Sequence, residues 1–131
     1  MAAVAGAVKA GDSVQAIKLF FEAANNQGAG ALEKQPEAIR RMILDNARTA
    51  PLMIAAPATP AVSCASLGGV KVPTFVEGGE QTARFYSLIN EEVVRCTPGS
   101  RMVRIRHATH WMSMQNPAAF NEALLQFVAQ H

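Results

Sequence analysis

The run of residues 72–120 most constrains what this chain can fold into. It opens with Val72-Pro73-Thr74-Phe75-Val76-Glu77-Gly78-Gly79, an apolar stretch entered on a proline and left on two glycines. An apolar run bounded by turn residues predicts a strand over residues 72–77. Residues 83–96 then read as an amphipathic helix, with Phe85, Leu88, Ile89 and Val93 on one face and Glu91, Glu92 and Arg95 on the other. Pro98-Gly99 forces a turn. Residues 101–107 alternate as a second strand, with Val103, Ile105 and His107 sharing a face. A loop, residues 108–116, leads to a last helix that Asn116 caps and Pro117 begins, with Phe120, Leu124, Phe127 and Val128 as its core stripe.

This order predicts the α/β class. Two adjacent parallel strands need a crossover, the helix between them supplies it, and the hand is expected to be right. In parallel α/β units the reactive groups sit beyond the carboxyl ends of the strands. His110 lies just past the second strand, so it is the first candidate for chemistry. Two strands alone do not make a stable open sheet in water, so more sheet is expected from another chain or segment.

Upstream the reading is helical. Asp12 is a good N-cap with Gln15 three residues on, and Val14, Ile17, Phe21 and Ala24 follow at helical spacing until Asn25-Asn26-Gln27-Gly28. Pro36 starts a second helix, with Ile39, Met42, Ile43, Asn46 and Ala47 inward and Arg40, Arg41, Asp45 and Arg48 outward; Pro51 is expected to stop or kink it. Residues 52–67, broken by Pro57 and Pro60, predict a helical turn and then extended linker. The boundary falls there: a helical segment over residues 1–60 and an α/β segment over residues 61–131.

Half of the 131 residues are hydrophobic and 17% are charged, which is ordinary for a globular chain. A net charge of +2 argues against nucleic acid or an anionic membrane surface as partner. Arg101, Arg104 and Arg106 are the one basic cluster and read as the solvated face of a strand. No apolar run approaches the roughly 20 residues that span a bilayer. The apolar start, Met1 to Lys9, lacks the basic n-region of a signal peptide. The expectation is a cytoplasmic protein. Cys64 and Cys96 leave two alternatives, a disulfide in an oxidising compartment or a buried thiol at Cys96, the thiol being the commoner role.

The residues of the C-terminal part resemble the α/β-hydrolase family. Val72-Pro73-Thr74-Phe75-Val76, with Gly78 and Glu80, is similar to that family's penultimate core strand, V-P-T-L-x-x-x-G-E. His110 followed by Asn116-Pro117-Ala118-Ala119-Phe120 resembles its catalytic-histidine loop and N-P-x-x-F helix. The resemblance covers residues 67–130, and residues 11–57 look similar to the family's inserted helical cap. It implies a partial α/β-hydrolase-like sheet: cap, last two strands and last two helices. It implies a hydrolase of an apolar ester or related small molecule, with His110 as general base toward a nucleophile, Glu80 as a candidate for the triad acid, and Trp111, Met112 and Met114 lining the substrate pocket, the alternative being that these three simply pack under the cap. The glutamate's commoner role is to order its loop.

The chain departs from the family pattern in several places. It contains no G-x-S-x-G, and Ser63, Ser66, Ser87, Ser100 and Ser113 all lack the glycine frame. The family's frequent acid position falls on Thr82, and Arg106-His107 replace its proline-glycine pair. The resemblance therefore implies a C-terminal half that acts on a small-molecule substrate only when joined to an N-terminal half. No cofactor is called for, and His107 with His110 lack a third ligand at metal-site spacing. The other reading is a non-catalytic α/β domain, a homo-oligomer built through an exposed sheet edge.

Overall fold

The computed structural model describes residues 1–57 and 60–131. The chain divides into two compact units, Met1–Thr59 and Pro60–His131.

The first unit is all helix: α1 (Ala2–Lys9), α2 (Ser13–Ala24), α3 (Glu37–Asp45), a 3-10 turn (Ala47–Thr49) and α4 (Ala50–Ala55). Asp12 caps α2, its Oδ1 accepting from the Gln15 N–H at 2.8 Å. Gly11 turns the chain between α1 and α2 at φ 78°, a conformation that glycine alone reaches without steric cost. The core is built from small side chains. Val4, Ala16 and Ala50 are sealed from solvent, with Ala7, Val8, Leu19, Phe20 and Ile54 packed around them. Leu32 is equally buried in the loop after α2. α1 is an element that the sequence pattern leaves unassigned. Val4, Ala7 and Val8 share a face at helical spacing, but an alanine-rich tract becomes a helix through what it packs on.

The prolines act otherwise than expected. Pro51 lies in the first turn of α4, where its missing N–H has no intrahelical partner to lose, so it begins a helix. In residues 52–67 the expected helical turn is the rest of α4, but α5 (Cys64–Gly68), which a Ser63–Ser66 capping box starts, is regular structure where linker was expected. The extended stretch expected between them falls partly outside the described residues. Val14 and Met42, read as inward residues, are about half exposed.

The second unit is mixed: α5, β1 (Phe75–Gly79), α6 (Arg84–Cys96), β2 (Arg101–Ile105), α7 (Met112–Gln115) and α8 (Pro117–Val128). β1 and β2 are parallel, with Phe75 opposite Arg101 and Gly79 opposite Ile105, and α6 connects them. β1 begins three residues later than the apolar run suggests and takes in both glycines, leaving Val72 exposed. β2 stops at Ile105. His107 is outside it, in the left-handed region at φ 55°, so it does not share the strand's face with Val103 and Ile105.

Side chains alternate across a strand, so the two faces are distinct. On one face Phe75 stacks on Phe127 of α8, ring centroids 5.0 Å apart, and Arg101 lies over the same ring. On the other, Gly78 makes room for Asn90 of α6, since a Cβ there would sit 2.8 Å from the amide nitrogen. Arg104 pairs with Glu91 on that side at 2.7 Å. α6 and α8 thus cover opposite faces of the pair. Their apolar stripes overhang it: Phe85, Leu88, Ile89, Leu124 and Val128, read as core positions, are all exposed. The helical period is correct, but a sheet two strands wide is too narrow to cover it.

Cys64 and Cys96 form a disulfide across 32 residues, Cα atoms 4.9 Å apart, tying α5 to the end of α6. Cys96 is buried as expected of a thiol in that place, but as half of a disulfide. No helix of the described residues is long and apolar enough to cross a membrane.

Candidate functional site

The segments that leave β1 and β2 are laced together beyond the carboxyl edge of the sheet. The Glu80 N–H donates to the Ile105 carbonyl at 3.0 Å, and the Gln81 N–H to the Ala108 carbonyl at 2.8 Å. The Glu80 carboxylate reaches back to accept from the His107 N–H at 3.2 Å. Gly79 lies under this lacing, where any Cβ would overlap the Ala108 and Thr109 carbonyl oxygens. Only glycine lets the two backbones approach this closely. Ala108 and Thr109 are buried as a result.

A second set of bonds fixes the histidine loop from its far end. Gln115 Oε1 accepts from the Thr109 N–H at 2.6 Å and from its hydroxyl at 2.9 Å. Asn116 serves twice: its Oδ1 accepts from the Ala119 N–H to cap α8, and its Nδ2 donates to the Arg106 carbonyl at 3.0 Å. The helix cap and the path out of β2 therefore share one side chain.

His110 projects from this frame. Its ring stacks on Tyr86, centroids 3.9 Å apart and planes within 7°, and Tyr86 leans in turn on Phe85. Partial burial among these rings pushes the imidazole below its ordinary 6.5 and the Tyr86 phenol above its ordinary 10.0, because both charged forms lose solvation. His110 is nonetheless an exposed residue. No hydrogen bond joins it to Glu80 among the described residues; that carboxylate is spent on the His107 N–H, the loop-ordering role. Trp111 and Met112 follow His110 half-buried at the start of α7, and Met114 is exposed.

Glu77 is a candidate that the sequence pattern does not single out. It sits mid-strand on the α8 face beside Val103, half-buried, with Oε1 shielded from solvent and without a hydrogen-bond partner among the described residues. Desolvation raises its carboxyl above the ordinary 4.5. The signal was available, since a glutamate in an apolar strand must face somewhere. Its face depended on the register.

A groove of about 390 Å³ runs along β2 and α8, lined by Val103, Ile105, His107, Asn116, Ala119 and Ala123 among others. His107 lines this groove, while the His110 ring stacks on Tyr86 of α6. The one potential metal-ligand group among the described residues is Cys64, Glu92 and Cys96. No known protein family, curated protein or solved structure matches this chain.

Proposed function

We propose that this chain is the histidine-bearing, C-terminal portion of an α/β-hydrolase-like enzyme that acts in the cytoplasm on an apolar small-molecule ester or related substrate, with His110 as general base. One observation carries the reading. His110 stands beyond the carboxyl edge of a parallel strand pair, on a doubly fastened loop, with its ring oriented by Tyr86. That edge is where α/β folds place reacting groups. A desolvated imidazole is neutral near pH 7 and so able to take a proton from a nucleophile.

A base alone lacks the larger contributions to catalysis, which come from a nucleophile and preorganised oxyanion donors. The 131 residues hold no nucleophile elbow, and Glu80 is committed to the His107 N–H. Nucleophile, acid and oxyanion donors therefore come from a complementing segment. Trp111, Met112 and Met114 would offer that segment's substrate an apolar wall.

The chain alone is expected to hydrolyse a chromogenic ester no faster than buffer. The native assembly containing it is expected to turn the ester over, with kcat about 10²- to 10⁴-fold lower in His110→Ala. A fluorophosphonate is expected to label a serine outside this sequence. Turnover that survives His110→Ala, or labelling of Ser113, would overturn the reading.

A second reading rests on a different observation: among the described residues each strand has one partner only. A non-catalytic domain that assembles through this edge, as a homo-oligomer, needs nothing else. Assembly without ester turnover would select it.

A further inference from the structure

The Cys64–Cys96 disulfide lies far from the His110 loop in sequence and has no part in the proposed hydrolysis. Its two sulfurs differ in every respect that governs thiol chemistry. Cys64 is exposed, whereas Cys96 is 7% exposed at the end of α6. The Arg95 Nη2 lies 3.3 Å from the Cys64 Sγ. The Glu92 Oε1 lies 3.5 Å from the Cys96 Sγ, one helical turn away on the same face. Arg95 and Glu92 are themselves joined, Nε to Oε2 at 2.8 Å with a second, shorter contact between Nη2 and Oε1. One ion pair thus spans the disulfide, cation on the exposed sulfur and carboxylate on the buried one. Beside it runs an apolar groove of about 360 Å³, lined by Val62, Leu67, Leu88, Ile89 and Val93, with Glu92 at its rim.

We propose that Cys64–Cys96 is a thiol–disulfide exchange site that oxidises dithiol peptides whose reacting cysteine neighbours an apolar side chain. A structural cross-link has no use for an exposed sulfur, a cation on it and a carboxylate on its partner. An exchange site uses all three. The peptide's first thiol loses its proton to water, and the thiolate, drawn by Arg95, attacks the Cys64 Sγ. The Cys64–Cys96 bond breaks, its electron pair goes to Cys96, and that sulfur takes up a proton from water, while Glu92 holds Arg95 in place over Cys64. The peptide's second thiol, deprotonated in turn, attacks the peptide sulfur of the mixed disulfide. Cys64 then leaves as a thiolate held by the Arg95 guanidinium, and a better-stabilised thiolate leaves faster. Two peptide thiols become one disulfide, and one disulfide of the chain becomes two thiols. The groove seats the apolar neighbour of the reacting cysteine. Exchange of this kind is also how a disulfide commonly serves in a reducing compartment, where it is transient.

The test mixes the oxidised full chain with a reduced synthetic peptide carrying two cysteines and a flanking leucine. Free peptide thiols are counted with time, and the adduct is acid-trapped and mapped by mass spectrometry. Two peptide thiols should disappear per chain, at least about tenfold faster than with an unstructured disulfide peptide of the same local sequence. The trapped adduct should sit on Cys64. Arg95→Met should slow both the formation of that adduct and its resolution about three- to tenfold, and Glu92→Gln, which removes the negative charge beside the leaving Cys96 sulfur, should speed its formation. Leu88→Ser should raise the peptide concentration needed without altering the rate with glutathione. Far-UV circular dichroism checks that each variant keeps its fold. A rate equal to the unstructured reference, an adduct on Cys96, or adduct kinetics that neither Arg95→Met nor Glu92→Gln changes would overturn the proposal and leave a structural cross-link.

Discussion

The two units bury their residues in opposite places. In Met1–Thr59 the sealed positions are side chains on helix faces: Val4 on α1, Ala16 on α2 and Ala50 on α4. In Pro60–His131 the apolar helix stripes stay exposed, and burial falls at the carboxyl edge of the strands, at Gly79, Ile105, Ala108 and Thr109, and at Ser87, Cys96 and Thr97 along and just past α6. The first unit has a sealed core, although Val14, Met42, Leu52 and Met53 stay exposed on its surface. The second has fixed the geometry of a loop and left Phe85, Leu88, Ile89, Leu125 and Val128 in water. An exposed apolar patch beyond a few hundred Å² usually marks an interface. The contrast is between a unit with a sealed helical core and one whose helix stripes overhang a sheet two strands wide.

The sharpest way to break this comparison is Gly79→Ala. The new methyl meets two backbone carbonyl oxygens that cannot rotate away. The lacing between β1 and β2 should open, costing about 4 kcal/mol or more, at the severe end for single substitutions. A urea titration that moves by less than about 1 kcal/mol would show that the lacing does not hold this unit. Next comes Leu32→Ala in the first unit. A cavity in a sealed core should cost about 2–5 kcal/mol, whereas Leu125→Ala on α8 should cost under about 0.5. Similar losses at the two sites would erase the contrast.

The pH dependence of stability gives smaller effects of opposite sign. Glu77 has its folded carboxyl raised, so between 4.5 and that higher value the folded chain binds more protons than the unfolded one. Stability should fall as pH rises through this window, and Glu77→Gln should remove the fall and raise the melting temperature at pH 7. His110 has its folded imidazole lowered. Stability from that group is present above 6.5 and lost as pH falls through the window below it, and His110→Ala should flatten that limb. Melting temperatures between pH 4 and 8 read both, and a Glu77→Gln variant that is less stable at pH 7 would contradict the burial argument. Smallest is His107→Gly. Relief of the left-handed backbone at φ 55° is offset by the greater entropy that glycine loses, so the change should stay within about 1 kcal/mol, the His107 N–H bond to Glu80 being kept.

What was legible in the sequence differs between the units as well. Strand, helix and strand in parallel order were readable because each period is local, and so were the caps at Asp12 and Asn116. The lateral extent of the sheet is not local, which is why Leu88 and Val128 passed for core. α1 is left unassigned and Pro51 is read as a stop because an alanine tract and a proline near a boundary take their structure from what packs on them. At the site, the place of His110 past β2 was legible from order alone. The stack on Tyr86 and the desolvation of Glu77 required the register. The disulfide required proximity over 32 residues, which spacing cannot supply.

The central claim is that the α/β unit presents an unfinished layer, and sedimentation of the purified chain at micromolar concentration tests it most directly. Covering the stripes at about 800 Å² per partner would meet the usual size of a stable interface. The expected result is a two-fold dimer, at twice the 14.0 kDa chain mass, that Leu125→Ser with Val128→Ser on α8 returns to a single chain. A sharp species at 14.0 kDa with no tendency to associate would contradict it.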